Sequence, residues 1–189
     1  MSERPILAAL GDSNTYGYDP CSPLGERYSA LVRWTGLLEQ RGWQVRNLGI
    51  NGLSVPSGVM LEDLCSALEQ IRPGVVTVML GSNDLLMGAD AEQTTERMTA
   101  LLRRLTWRWS TLLIAPPPMV PGQWVRGQSL ICASQALGGL YREAARQTGA
   151  AFADAGDWGL ELAFDGVHFT PGGHQVFAQR LGEILDAMP

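Results

Sequence analysis

The hydrophobic and polar positions of the chain follow two alternating patterns. Short, continuous apolar runs predict buried strands, and each is followed by a segment whose apolar residues recur every three or four positions, as in an amphipathic helix. The predicted strands are residues 5–10, 43–48, 75–80, 111–115 and 150–154. The predicted helices are residues 28–41, 59–71, 91–107 and 128–148, with a closing helix whose first turn holds Pro171 after a Thr170 cap.

Strands that alternate with helices imply parallel strands joined by right-handed crossovers. We therefore predict a three-layer α/β/α fold around a five-stranded parallel sheet. The run Val75–Leu80 is apolar and rich in β-branched residues, so it is expected to be the central strand. No internal repeat, linker or low-complexity tract divides residues 1–189, which predicts a single domain.

Composition narrows the classes of function. Hydrophobic residues make up 46% of the chain and charged residues 17%, which is typical of a globular protein. A net charge of −5, without any basic run, argues against a nucleic-acid or anionic-membrane partner. No signal peptide or transmembrane segment is predicted, and three scattered cysteines (Cys21, Cys65 and Cys132) fit reduced thiols in the cytoplasm.

Polar residues and glycines follow the predicted strands where functional groups gather in α/β sheets. Ser13 follows the first strand, Gly52 the second and Asn83 the third, while Asp165 and His168 lie in the loop after the fifth. In open α/β sheets, ligands bind outside the carboxyl ends of the strands. The sequence therefore predicts that these residues share one cleft.

A serine hydroxyl needs a base before it can act as a nucleophile near neutral pH. Of the two histidines, His174 falls within the predicted last helix and is interpreted as a surface or packing residue, which leaves His168 as the candidate base. Asp165 precedes it by three residues, a spacing that lets the carboxylate accept a hydrogen bond from the imidazole. Asp154 and Asp157 are alternative acids at a less favourable spacing.

Acyl transfer also needs donors for the oxyanion that forms in the transition state. The Ser13 backbone N–H, the Gly52 backbone N–H and the Asn83 amide are the candidates, although glycine and asparagine also occur in ordinary turns. A small apolar pocket is expected around the site. Its predicted wall consists of Tyr16, Leu85, Leu86, Trp124 and Val167.

Four ordered motifs resemble the blocks of the SGNH (GDSL-type) hydrolases. They are Gly11-Asp12-Ser13, the Gly52 of Asn47–Gly52, Gly81-x-Asn83-Asp84 and Asp165-x-x-His168. The resemblance covers essentially the whole chain and implies that family's flavodoxin-like sheet. It implies Ser13 as nucleophile, His168 as general base and Asp165 as its orienting carboxylate, with Ser13, Gly52 and Asn83 as oxyanion donors.

Two details qualify the match. The first block continues with Asn14, where the family name has a leucine, a variation that leaves the chemistry intact. Asp12 and Asp84 also match block positions and are interpreted as supports for their turns. Residues 11–20, the Glu26-Arg27-Tyr28 segment and a Trp-bearing helix are most similar to the arylesterase and acyltransferase branch.

The expected function is that of a serine esterase that hydrolyses or transfers short acyl groups of small carboxylic esters, without a metal or other cofactor. A carbohydrate O-deacetylase, a lysophospholipase and a thioesterase would use the same triad. The apolar loop 116–126 would suit a pocket wall or a homo-oligomer interface, and equally a loop folded onto its own core.

Functions from other classes of protein are alternatives to a serine esterase. The Gly-Asp and Gly-x-Asn-Asp motifs faintly resemble those of metal-dependent phosphoesterases, but two histidines supply few ligands for a two-metal site. A flavodoxin-like binding module could place a phosphate at residues 13–15, yet it gives Asn83, Asp165 and His168 no role. A degenerate hydrolase is disfavoured because every required side chain is present.

Overall fold

Five parallel strands form one sheet in the computed structural model, which describes residues 4–188. They are β1 (Ile6–Gly11), β2 (Gln44–Gly49), β3 (Val75–Met79), β4 (Ser110–Ala115) and β5 (Ala151–Asp154). Their order across the sheet is β2-β1-β3-β4-β5, the flavodoxin-like arrangement. The predicted α/β fold with a five-stranded parallel sheet is confirmed, and so is the central position of the Val75–Leu80 run.

Helices cover both faces of this sheet. They are α1 (Ser13–Tyr16), α2 (Trp34–Gln40), α3 (Gly58–Ile71), α4 (Ser82–Leu86), α5 (Ala91–Thr106), α6 (Gln128–Thr148) and α7 (Pro171–Ala187), with a 3-10 turn at Ala155–Trp158. Helices α3, α5 and α6 pack on one face, and α2 and α7 on the other. Strand β1 shows the alternation that this requires, since Ala8 and Leu10 face the first group while Leu7 and Ala9 face the second.

The prediction of a helix over residues 28–41 is wrong in its first half, because α2 begins at Trp34. The Tyr28 backbone N–H donates to the Gly17 carbonyl at 2.8 Å, which draws this segment into the loop after α1. Leu31, which completed the helical pattern, is 75% exposed. The short helices α1 and α4 were not predicted, since four or five residues do not display a helical period.

The apolar loop 116–126 folds onto the core and onto the loop before α7. Met119 and Val125 are buried among residues of β4, α5 and α6. The Val120 N–H donates to the Gly166 carbonyl and the Trp124 N–H to the Asp165 carbonyl, both at 3.1 Å. The loop therefore braces the backbone of a segment that carries candidate site residues.

Candidate active site

The sheet order brings three candidate residues to adjacent strand ends. Strand β1, which leads directly into Ser13, lies between β2 and β3. Gly11 pairs with Gly49 on one side and with Met79 on the other, so the three strands end at the same level. Gly52 follows β2 by three residues, and Asn83 lies at the start of α4 after β3. Both therefore flank the turn that presents Ser13.

Ser13, His168 and Asp165 form a continuous hydrogen-bonded chain. The Ser13 Oγ lies 2.9 Å from His168 Nε2, and His168 Nδ1 lies 2.7 Å from Asp165 Oδ2. An ionised carboxylate can only accept, so the imidazole carries its proton on Nδ1 and turns the Nε2 lone pair toward the serine hydroxyl. This is the tautomer that a general base for Ser13 needs.

Local backbone contacts hold the Asp165 carboxylate in its ionised form. Burial raises its pKa, but the His168 imidazole and the backbone N–H groups of His168 and Val167 outweigh that effect and lower the pKa below its ordinary value. The two N–H groups donate to Oδ1 at 3.0 and 2.9 Å, which leaves Oδ2 for the imidazole. The Asp-x-x-His spacing produces this turn, since the carboxylate receives backbone donors two and three residues further on.

Asn14 joins the serine turn to the histidine loop, a role that was not predicted. Its Nδ2 donates to the Val167 carbonyl at 3.1 Å, and its Oδ1 accepts from the Phe169 N–H at 2.9 Å. The two bonds straddle His168 and fix its backbone relative to Ser13. Sequence reasoning compared this position with a leucine of the family name and missed a side chain that both donates and accepts.

Two aromatic rings contact the imidazole of His168. The Tyr18 ring centroid lies 4.7 Å from it in a tilted arrangement, and that of Trp124 lies 4.9 Å away, edge-on. Trp124 is 48% exposed, and its place beside the imidazole makes it available to a bound ligand; its role in a pocket wall stays a prediction. Tyr18 was not predicted, because a tyrosine in a turn-rich loop carries no periodic signal.

The opposite side of the cleft is held by Asn83 and Asp84. Asn83 Nδ2 donates to the Leu53 carbonyl at 3.1 Å, and its second hydrogen remains available. The buried Asp84 carboxylate accepts from the Val55 N–H at 2.9 Å and from Arg97 Nη1 at 3.0 Å. These bonds anchor the loop that follows Gly52 to helices α4 and α5.

Asp12 supports the serine turn from within the protein. Its carboxylate accepts from the Asn14 N–H at 2.9 Å and caps α1. Burial raises its pKa from 3.8 to about 6, against the lowering effect of the Asn14 backbone donor. Asp12 and Asp84 thus occupy the supporting places expected for them.

Other predicted wall residues lie elsewhere. Leu85 and Val167 are 4% and 6% exposed and belong to the core, so they do not form an open wall. Leu86 is half-buried and packs against the same core. The Arg27 guanidinium stacks over the Tyr16 ring, with its Cζ 4.7 Å from the ring centroid. The prediction of Leu85 and Val167 as wall residues is corrected, because both side chains pack in the core, while the roles of Tyr16 and Leu86 stay predictions.

The alternative acids and the second histidine have separate roles. Asp154 accepts from the Gly156 N–H at 3.0 Å and caps the 3-10 turn, while Asp157 is exposed. His174 is buried in α7 beside the rings of Tyr28 and Phe169. Within residues 4–188, no three His, Cys, Asp or Glu side chains are grouped so that they could hold a metal ion.

Residues 9–176 match the GDSL-like Lipase/Acylhydrolase family. The chain belongs to this family. Membership of the GDSL-like acylhydrolases makes the protein a hydrolase. The resemblance seen in the sequence motifs is thereby confirmed.

Solved structures of similar proteins have the same fold. A putative arylesterase from Agrobacterium tumefaciens is 28% identical, with a TM-score of 0.84 over 98% of this chain and 100% of that one. An aryl esterase from M. smegmatis is 22% identical, with a TM-score of 0.89 over 98% and 100% of the two chains. A carbohydrate acetylesterase from Sinorhizobium meliloti is 23% identical, with a TM-score of 0.86 over 97% and 99%.

A curated relative matches a shorter segment. Thioesterase 1/protease 1/lysophospholipase L1 of Escherichia coli is 36% identical over 101 residues, which make up 51% of this chain and 43% of that protein. The match thus spans less than half of the relative's length. In the part of our chain that the structure describes, no helix has both the length and the apolar character to cross a bilayer.

Proposed function

We propose that this GDSL-like acylhydrolase is a serine esterase that acts on small carboxylic esters through an acyl-enzyme on Ser13. The observation that carries the proposal is the unbroken chain from the Ser13 hydroxyl through His168 to Asp165, with distances of 2.9 and 2.7 Å. All three side chains are buried within the fold, so they are held in this geometry before substrate arrives.

In the first step, His168 Nε2 takes the Ser13 proton as Oγ attacks the ester carbonyl carbon. Asp165 stabilises the imidazolium that results and keeps its ring in place. When the tetrahedral intermediate collapses, the C–O bond to the alcohol breaks and His168 returns the proton to the leaving oxygen. Water then repeats the sequence on the acyl-enzyme and releases the acid.

The negative charge of the intermediate needs donors on the other side of the carbonyl. The Ser13 and Gly52 backbone N–H groups and the Asn83 amide are the proposed donors. Gly52 has no side chain and a left-handed φ of 74°, and an added Cβ would meet nothing within 4 Å. A substrate oxygen can therefore approach its backbone closely. Each such donor typically lowers the barrier by about 3–4 kcal/mol.

Short acyl groups on aryl or sugar alcohols are the proposed substrates. The similarity to a putative arylesterase and to a carbohydrate acetylesterase supports this class. Trp124 beside His168 gives an aromatic or sugar leaving group an apolar surface on the side where the alcohol departs. An alcohol in place of water would turn hydrolysis into acyl transfer by the same steps.

Thioester or lysophospholipid hydrolysis is a second candidate, favoured by the 36% identity to Thioesterase 1/protease 1/lysophospholipase L1. The triad would act on a thioester in the same way. Relative kcat/KM for p-nitrophenyl acetate, acetyl-CoA and a lysophospholipid distinguishes the candidates, and the ester is expected to be the best of the three.

The test is p-nitrophenyl acetate hydrolysis by the wild type, Ser13→Ala and Ser129→Ala, each with and without EDTA. Ser129 is an exposed serine in the first turn of α6 and serves as the control for the loss of a hydroxyl. We expect EDTA to have no effect, Ser129→Ala to keep activity, and Ser13→Ala to lose at least about 10⁴-fold in kcat. Activity that survives in Ser13→Ala, or that EDTA abolishes, would contradict the proposal and favour metal chemistry.

A further inference from the structure

An apolar groove lies beside the Gly52 loop, where the chain passes from β2 to helix α3. Two adjoining cavities form it, of about 430 and 460 Å³. They share Ile50, Leu53, Pro56 and Met60. The first extends between the end of β2 and helix α3, and the second passes Gly52 and Met87. Cavities of this size hold small ligands.

Two segments that line the groove lie next to candidate site residues. Leu10, three residues before Ser13, lines one end of it. The Ile50 N–H donates to the Gly11 carbonyl at 3.1 Å, which fixes the start of the loop against the end of β1. Gly52, the proposed oxyanion donor, lines the other cavity. If Gly52 holds the oxyanion of an acyl group on Ser13, the acyl chain leaves the carbonyl carbon next to this lining.

The lining is apolar and partly open to solvent. Ile50 in the loop after β2, Met60 in the first turn of α3 and Met87 at the end of α4 are 59%, 54% and 77% exposed, and together they form an exposed apolar lining. The amide of Asn47 is already used, since its Nδ2 donates to Thr15 and Thr35 oxygens and its Oδ1 accepts from the Gly49 N–H. Asp63 lies on the exposed side of α3 and would repel a free carboxylate.

These features favour an uncharged alkyl chain as the occupant. From Met60 to Ala67 the first cavity follows α3 for seven residues, or about 10 Å at 1.5 Å per residue. That length suits a medium acyl chain much better than an acetyl group. Methionine side chains also adapt to flexible chains of varying length.

We propose that this β2–α3 groove binds the acyl chain of the ester and extends the substrate class from acetyl to medium-chain acyl esters. The inference rests on the proposed function, because it assumes an acyl-enzyme at Ser13. Trp124 and His168 then border the alcohol, while Ile50, Met60 and Met87 contact the acyl chain.

The experiment compares kcat/KM for p-nitrophenyl octanoate and p-nitrophenyl acetate in the wild type, Met60→Glu and Val59→Glu. Val59 is the matched control: it neighbours Met60 in the first turn of α3 and is 78% exposed, but it lines neither cavity. The acetate rate of each variant also reports whether its fold and triad are intact.

We expect the wild type to hydrolyse octanoate as well as acetate, and Met60→Glu to lower the octanoate-to-acetate ratio by about tenfold, equivalent to losing the burial of roughly two methylene groups. Val59→Glu should change the ratio less than twofold. Equal ratios in all three proteins, or equal losses in both variants, would overturn the groove assignment.

Two further outcomes separate the proposals. Wild type that hydrolyses acetate through Ser13 but not octanoate overturns the groove assignment and leaves the proposed function standing. Wild type that hydrolyses neither ester overturns the proposed function itself. Light scattering on the same samples tests whether a second copy of the chain occupies the groove instead. If the wild type is a dimer that Met60→Glu dissociates, and the octanoate-to-acetate ratio is unchanged, the groove is a dimer interface and the acyl-chain assignment is overturned.

Discussion

The two sides of the cleft differ in how tightly the fold holds them. On the His168 side, Asp165 and His168 are buried and hydrogen-bonded, and Asn14 bonds the backbone on either side of the imidazole. On the Gly52 side, the loop exposes Gly52 and Ile50 and is anchored from below by Asn83 and Asp84.

In the proposed mechanism, this difference corresponds to separate tasks for the two sides. The proposed proton transfer between Ser13 and His168 tolerates little change in distance, and buried, short-range bonds on that side meet this requirement. Recognition of an acyl chain needs exposed apolar surface that can adapt. The comparison predicts that substitutions on the His168 side affect all substrates alike, whereas those on the Gly52 side change selectivity.

The largest effect is expected for Asp165→Asn. An amide at this position can still accept from the Val167 and His168 N–H groups, but it no longer stabilises the imidazolium or selects its tautomer. We expect kcat to fall by about 10⁴-fold for acetate and octanoate esters alike. Asp157→Asn removes the same charge from an exposed site and should leave kcat unchanged. A loss confined to one ester would show that Asp165 acts through substrate binding.

Asn83→Ala tests the proposed oxyanion donor on the Gly52 side. Loss of one oxyanion donor is expected to lower kcat by roughly 10²–10³-fold with little change in KM. A trifluoromethyl ketone, which mimics the tetrahedral intermediate, should lose affinity by a similar factor, an effect that a general loosening of the loop would not produce. Asn51→Ala, on the exposed part of that loop, is the control. A change in KM alone would contradict the oxyanion role.

The packing of the two sides can be compared at two glycines that have similar positive φ angles. Gly166 has a φ of 85°, and a Cβ there would lie 2.1 Å from the Val120 carbonyl oxygen. Gly52 has a φ of 74° and no neighbour within 4 Å of the added atom. In urea unfolding, Gly166→Ala should cost roughly 2–5 kcal/mol of stability, and Gly52→Ala about 1 kcal/mol from backbone strain alone. Equal losses would contradict the proposed difference in packing.

The last prediction concerns the pH dependence of stability. Burial raises the pKa of Asp12 from 3.8 to about 6, so its protonated form stabilises the fold below pH 3.8, and this contribution is lost as pH rises to about 6. Asp12→Asn keeps the acceptor for the Asn14 N–H without the ionisation. Between pH 4 and pH 7 the unfolding free energy of the variant should rise by up to about 3 kcal/mol relative to that of the wild type.

The effect of Asp12 is measured as the difference in unfolding free energy between the wild type and Asp12→Asn. This difference is needed because His174 gives the unfolding free energy of both proteins the opposite pH dependence. Burial lowers its pKa from 6.5 to about 3, and the fold therefore loses stability as pH falls below 6.5. Urea unfolding at pH 4, 5, 6 and 7 gives the difference directly. A value that stays constant across this range would show that Asp12 ionises at its ordinary pKa.

Much of this architecture could be predicted because it follows local rules. Apolar runs such as Val75–Leu80 identify buried strands, and the carboxyl edge of a parallel sheet is where polar turns meet. Ser13, Asp165 and His168 were found in this way, since strand ends and one short spacing place them. The ends of α3, α5 and α6 agree with the predicted helices within one residue.

What could not be predicted depends on contacts between distant parts of the chain. Tyr28 leaves the expected helix because it bonds to Gly17, and Trp124 reaches His168 only through backbone bonds between its loop and residues 164–166. The pocket wall was misplaced for the same reason. Leu85 looks available in the sequence, but α4 directs it into the core, and the apolar groove forms instead between β2 and α3.

The most direct test of the central claim is covalent labelling of the nucleophile. Intact-mass and peptide mass spectrometry after treatment with diethyl p-nitrophenyl phosphate would follow the wild type, Ser13→Ala and His168→Ala. We predict one diethylphosphoryl group on Ser13 in the wild type, none in Ser13→Ala and much slower labelling in His168→Ala. A label on another residue, or equal labelling of all three proteins, would contradict a Ser13 nucleophile activated by His168.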